Sequence, residues 1–198
     1  GHGSGANVAF GCYQTLGNLR LQFAGATGGT NETVPDSYRR LLDLNDAMVR
    51  VTYEKDGVAF QRETLASAPH QAIVTRLTAS RPGAISFTAL LDRPEKFQTA
   101  AAGARELLMT GQLSSGSDAP GMKYAARVRA VAKGGKVSVV DGNQLKVENA
   151  DEVLLYVTAA TDFRGFAGRQ TADPVAASLA DLDKAAAVSW ADLRRAHL

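Results

Sequence analysis

The sequence predicts an antiparallel β-sandwich that finishes in helix. Three observations carry that fold class. Apolar and polar side chains alternate with period two over most of the chain, glycine-containing turn steps punctuate the alternation at short intervals, and helix signals dominate only after Thr171. Strands and turns so closely spaced argue for two packed antiparallel sheets, a mainly β architecture.

The elements follow in order. Gly1 to Gly5 reads as loop. In "NLRLQF", Leu19, Leu21 and Phe23 face one way and Asn18, Arg20 and Gln22 the other, the pattern of a half-buried strand. "AGATGGTNET" is a glycine-rich loop, and its Asn31-Glu32-Thr33 fits a glycosylation pattern short enough to arise by chance. "MVRVTYEKDGVAFQRETLAS" is the clearest local signal. Val49, Val51 and Tyr53 alternate with Arg50, Thr52 and Glu54, and Asp56-Gly57 supplies the left-handed residues of a tight hairpin. "QAIVTRLTAS" and "AISFTALL" repeat the scheme around Arg81-Pro82-Gly83.

Further on, "MKYAARVRAVA" sets Met122, Tyr124, Ala126 and Val128 on one face, with Lys123, Arg127 and Arg129 on the other, expected to be solvated. "KVSVVDGNQLKVE" is a hairpin around Asp141-Gly142, and "EVLLYVTAAT" is apolar on both faces, as for a strand inside a layered core. Asp173 is a good N-cap and Pro174 fits the first helical position. Val175, Leu179, Leu182 and Ala186 then form an apolar stripe expected to lie against the sandwich. "SWADLRRAHL" repeats Trp190, Leu193 and Ala196 at helical spacing.

Composition narrows function by exclusion. With 198 residues and a net charge of +2 spread along the chain, there is room for one large core and no electrostatic footprint for nucleic acid or membrane. The single cysteine, Cys12, rules out an internal disulfide. A small buried residue is favoured over a nucleophile there, and the redox compartment stays open.

Candidate chemistry is sparse. His2, His70 and His197 are far apart and none sits at metal-ligand spacing with a second ligand type. No P-loop, dinucleotide fingerprint or nucleophile elbow is present, so no cofactor is expected. Asp43, Asp46, Glu54, Glu63, Asp92 and Asp162 could in principle supply a carboxylate pair, but most fall at turns or on outward strand faces, where solvated charge is normal. Asp162 is the least ordinary, because "TDFRGF" follows the most buried strand. A structural ion pair beside aromatics is favoured there over a catalytic role. His70, after Pro69, reads as a polar turn residue more readily than as a general base, which would need partners the local sequence does not show.

Four stretches, "YQTLGNLRLQF", "YRRLLDLNDAMVRVTYEKDGVAFQRETLASAP", "GMKYAARVRAVA" and "SWADLRRAHL", resemble the N-terminal domain of glycoside hydrolase family 95, the inverting α-L-fucosidases, some acting on α-L-galactosides. The likeness runs from about Tyr13 to Leu198. One departure is "SAPHQAIV", where the family usually carries an acidic residue at the place of His70.

The resemblance implies a large, supersandwich-like β-sandwich over residues 1–170 with upstream strands missing. A helical linker over 171–198 would lead to an (α/α) barrel that is absent. It further implies a periplasmic or extracellular parent whose barrel holds the catalytic residues. No catalytic, cofactor-binding or metal-binding residue is therefore assigned to this chain, which alone is expected neither to hydrolyse fucosides nor to bind metal. Its partners would be that barrel and, through the parent, a fucosylated glycan. Trp190, Leu193 and Leu198 would meet the barrel; without it the last helix should pack on its own sheet, self-associate or fray. Two functions stay in view: the accessory sandwich of a fucosidase, or a stand-alone carbohydrate-binding sandwich. The low aromatic content, 7%, with the sole Trp190 in the last helix, favours the first.

Overall fold

The computed structural model describes residues 15–23, 37–114, 120–164 and 170–198. Cys12, Asn31, His2 and the end of "TDFRGF" lie outside them. Within the described residues twelve strands and two helices follow one another: β1 (Asn18–Phe23), β2 (Arg39–Asp43), β3 (Met48–Lys55), β4 (Val58–Ser67), β5 (Ala72–Ala79), β6 (Ile85–Asp92), β7 (Gln98–Ala101), β8 (Glu106–Ser114), β9 (Pro120–Lys133), β10 (Lys136–Val140), β11 (Gln144–Ala150), β12 (Glu152–Thr161), α1 (Pro174–Ala186) and α2 (Trp190–His197). All described pairings are antiparallel. A small sheet runs β1-β6-β11-β10, and an eight-stranded sheet runs β2-β3-β4-β5-β12-β9-β8-β7. The predicted sandwich with terminal helices is the observed one.

Local chemistry explains the elements the sequence announced. Asp56 and Gly57 hold φ of 52° and 70° between the paired residues Lys55 and Val58, the left-handed pair a two-residue hairpin requires. Gly83, at φ 69°, turns the chain from one sheet to the other, and its N–H donates to Asp151 Oδ1 at 2.7 Å. The Asp173 carboxylate accepts from the N–H groups of Val175 and Ala176, each at 3.0 Å, ahead of Pro174. The short strands β2 and β7, and the longer β8, carry no clean alternation and are visible only once their neighbours are placed.

The sheets enclose one core. Phe87, Leu107, Met109, Val128, Leu145 and Leu155 are fully or almost fully buried between them. A second core lies on the outer face of the large sheet. There the helices cover Met48, Leu65, Val74 and Tyr156 with Leu182, Ala185 and Leu193. This arrangement corrects two expectations. The face of β9 that bears Arg127 and Arg129 is not solvated but roofed by α1, with Arg127 only 5% exposed. And α1 turns Pro174, Ser178, Asp181, Leu182 and Ala185 inward, leaving Val175 and Leu179 exposed. The inner face of α1 is therefore part polar, because the sheet beneath it carries charge that must be answered.

The last helix packs on its own sheet. Leu193 is completely buried, and the His197 Nε2–H donates to the Ala47 carbonyl at 3.0 Å. Ser189 caps the helix: its Oγ accepts from Asp192 N at 3.2 Å and donates to Asp192 Oδ2 at 2.7 Å.

Candidate functional site

Two clusters of paired charge lie on the helix-covered face of the large sheet. The first cluster centres on Arg50 of β3. Its guanidinium reaches Asp43 Oδ2 at 3.3 Å, Asp46 Oδ2 at 3.1 Å and Glu63 Oε1 at 3.3 Å. Arg76 of β5 grips Glu152 with two bonds, at 3.0 and 2.9 Å, and lies 6.0 Å from the Trp190 ring of α2. Arg194 of α2 reaches Asp46 at 3.6 Å. Residues as far apart as Asp46 and Arg194 thus meet because α2 folds back over β3 to β5 and β12, which are laid side by side. Here Glu63, expected on an outward face as solvated charge, is buried at 6% exposure.

The second cluster ties α1 to the sheet. Glu106 of β8 accepts from Arg127 through one oxygen and from Arg129 Nε and Nη2, at 3.0 and 2.8 Å, through the other. Arg129 continues to Asp183 of α1 at 2.8 Å. Arg127 donates to Ser178 Oγ at 3.2 Å and to the Val175 carbonyl at 3.3 Å. Two guanidinium groups and two carboxylates balance, as burial demands.

The Arg76–Glu152 pair is not set up for acid/base chemistry. A general acid at neutral pH needs its carboxyl raised by burial or by a like charge. The hydrogen bonds from Arg76 instead hold Glu152 below the usual carboxylate range, and those from Arg20, then Asn18, do the same to Asp92. The Glu152 shift has a measurable consequence. Because its folded pKa lies below the unfolded one, the stabilisation is complete above the ordinary Glu value of about 4.3 and is lost as pH falls through the depressed folded value. Acid titration should therefore lower the melting temperature, and Glu152→Gln should flatten that fall between about pH 5 and 3. Identical acid profiles for both proteins would contradict this.

The other sequence candidates have structural occupations. Ser67 Oγ and His70 Nδ1 lie 2.8 Å apart, closing the turn between β4 and β5, with Ser67 only 2% exposed. No carboxylate bonds His70 among the described residues, so the pair lacks the third member that would orient a base. Among the described residues Asp162 shows no ion pair. It continues the β12–β9 pairing by accepting from Lys123 N at 2.8 Å, while its own N–H donates to Lys123 O at 3.1 Å. Among the described residues no group of three or more His, Cys, Asp or Glu could hold a metal ion, and no helix is long and apolar enough to cross a membrane.

The concave feature lies inside the sandwich. Among the described residues the small sheet packs against β5, β8 and β9, and the inner face of β2 to β4 beside β1 has no strand over it. The resulting trough has a volume of about 440 Å³ at one end and about 340 Å³ at the other, joined through Leu21, Tyr38 and Arg62. Its floor is a grid of cross-strand neighbours, Arg40 with Val51 and Arg62, and Val49 with Thr64 and Thr75. Tyr53 and Phe60 stack at 5.1 Å, and burial pushes the Tyr53 hydroxyl pKa up. No local sequence signal marks this trough, because it depends on which described strands lie opposite which others.

Comparison with known proteins agrees with this architecture. The family model described as the N-terminal domain of glycosyl hydrolase family 65 matches residues 1–166. An Arabidopsis thaliana protein named alpha-L-fucosidase 2 is 29% identical over 208 residues, covering 94% of this chain and 24% of its own length. Among solved structures, a putative kojibiose phosphorylase from the human microbiome superposes with a TM-score of 0.57 at 12% identity, over 90% of this chain and 26% of its own, and so speaks to the fold alone. The chain spans about a quarter of the length of each. The sequence resemblance was to family 95 and the matching model is described under family 65; both are N-terminal domains of glycoside hydrolases. This chain belongs to the family of glycosyl hydrolase family 65 N-terminal domains.

Proposed function

We propose that this chain is the accessory N-terminal sandwich of an α-L-fucosidase-type glycoside hydrolase. It would pack on and support an (α/α) barrel of the same polypeptide that cleaves α-L-fucosyl or α-L-galactosyl linkages with inversion. The observation that carries this reading is the alignment of nearly the whole chain with a quarter of a protein named as a fucosidase. The ionic clusters support it, since each engages its carboxylates with guanidinium groups and fastens the helices to the sheet.

The alternative, a stand-alone carbohydrate-binding module, would be served by exposed aromatics sharing one face. Among the described residues the exposed aromatics are spread out: Tyr38 and Phe97 precede β2 and β7, opposite edges of the large sheet, and Phe163 follows β12 in its middle. The test is turnover of an aryl α-L-fucoside. The full-length polypeptide should release fucose with inverted configuration, read by NMR of the first-formed anomer, and residues 1–198 alone should release none. Turnover by the short chain, or inactivity of the full-length protein on both fucosides and galactosides, overturns the proposal.

A further inference from the structure

We infer that the Asp56-Gly57 step, in the turn between β3 and β4, is a site of spontaneous isomerisation of aspartate to isoaspartate. The matching Asp141-Gly142 step, between β10 and β11, is held back from the same reaction by a tether to β7. Nothing in this chemistry depends on the activity of a parent enzyme.

These are the two Asp-Gly steps of the chain, and they form the same kind of turn. Asp56 and Asp141 both sit at φ 52°, with Gly57 at 70° and Gly142 at 71°. All four residues are exposed. Beyond the chain neighbours, no heavy atom lies within 4 Å of the position a Cβ would take on either glycine. A glycine in second place matters chemically, since no side chain hinders the approach of its amide nitrogen to the preceding carboxyl. Open solvent supplies the water that the second half of the reaction consumes.

The reaction balances without a co-reactant. The Gly57 amide nitrogen attacks Cγ of the protonated Asp56 carboxyl and forms an N–C bond. The carboxyl hydroxyl leaves with the amide proton as water, and a five-membered succinimide remains. Water then adds to one of the two imide carbonyls. Breaking the new bond to Cγ restores aspartate. Breaking the original bond to the main-chain carbonyl carbon leaves the chain running through Cγ, as isoaspartate. The longer main chain no longer fits a two-residue hairpin, so the Lys55–Val58 pair that closes it should loosen.

Freedom separates the two steps. Attack requires the Asp-Gly peptide plane to rotate out of the left-handed turn, so the rate follows local opening. Among the described residues neither Asp56 nor Gly57 hydrogen-bonds another element. The Gly142 carbonyl, by contrast, accepts from the Ala101 N–H at 2.7 Å, and the Asp141 carboxylate accepts a long bond from Gln144 Nε2 at 3.4 Å. One hydrogen bond of net strength about 1 kcal/mol shifts an opening equilibrium about fivefold.

The folded protein is incubated at neutral pH in water enriched in heavy oxygen, then digested and mapped by mass spectrometry. Each succinimide hydrolysis fixes one heavy oxygen in the residue that reacted, and electron-transfer fragmentation tells isoaspartate from aspartate. Label should accumulate at Asp56 about fivefold faster than at Asp141, and at similar rates when the chain is held unfolded in guanidinium chloride. Ala101→Pro removes the tethering N–H at an edge strand, where proline is tolerated. That variant should bring Asp141 towards the Asp56 rate and leave Asp56 unchanged. Equal rates in the folded wild type, a faster Asp141, or label at neither site while the unfolded chain takes it at both overturns the inference. So does an Ala101→Pro variant with β9 and β12 amides still protected whose Asp141 stays as slow as in the wild type.

Discussion

Replacing Glu106 with alanine should lower the unfolding free energy by about 3–5 kcal/mol, the usual cost of breaking a buried ion pair from one side. Glu106 is 5% exposed and is the carboxylate shared by Arg127 and Arg129. After its removal the partners of Arg127 among the described residues are Ser178 Oγ and the Val175 carbonyl, both neutral. The double variant Glu106→Leu with Arg127→Met should recover more than half of the loss, because two apolar residues of similar volume need no solvation. Urea unfolding with a common slope measures both. A single-variant loss below 1 kcal/mol would show that water reaches the pair. A double variant no better than the single would show that the helix contacts of Arg127 matter more than its charge.

Leu193→Ala should be the next most damaging change, with a different signature. Leu193 is fully buried against the second core, and truncating a buried leucine costs about 2–5 kcal/mol. Yet α2 is held otherwise only by Trp190, the reach of Arg194 to Asp46 and the His197 bond to Ala47. A helix of eight residues is marginal without its packing. The loss should therefore appear as local detachment: fast amide exchange over Trp190–His197 and a shift in Trp190 emission, with a global loss below that of Glu106→Ala. Cooperative loss of the whole sandwich at an unchanged Trp190 signal would disprove the idea that α2 opens as a separate unit.

Strands whose chemistry is local were legible in the sequence. Val49, Val51 and Tyr53 alternate because one face of β3 is apolar, and Asp56-Gly57 turns wherever it is placed. The N-cap Asp173 was of the same kind, whereas the Ser189 cap emerged only from the structure. β2 was not legible, since "RRLLD" lacks alternation and becomes a strand only by pairing with β3. The stripe Val175, Leu179, Leu182 was real as a pattern but misled, because Arg127 and Arg129 under α1 draw Ser178 inward and Asp183 to its edge.

The sequence by itself therefore determined the sandwich class, the hairpins, the helical end and the family, all properties of neighbours within about ten residues or of the pattern as a whole. Only the tertiary structure decided that Glu63, Glu106 and Arg127 are buried, that Asp43, Asp46 and Arg194 share one charge cluster, and that β1 borders an open trough. The physical reason is that a charge can be buried only where another segment supplies its counter-charge. Which segment that is depends on strand order, which period-two alternation does not encode.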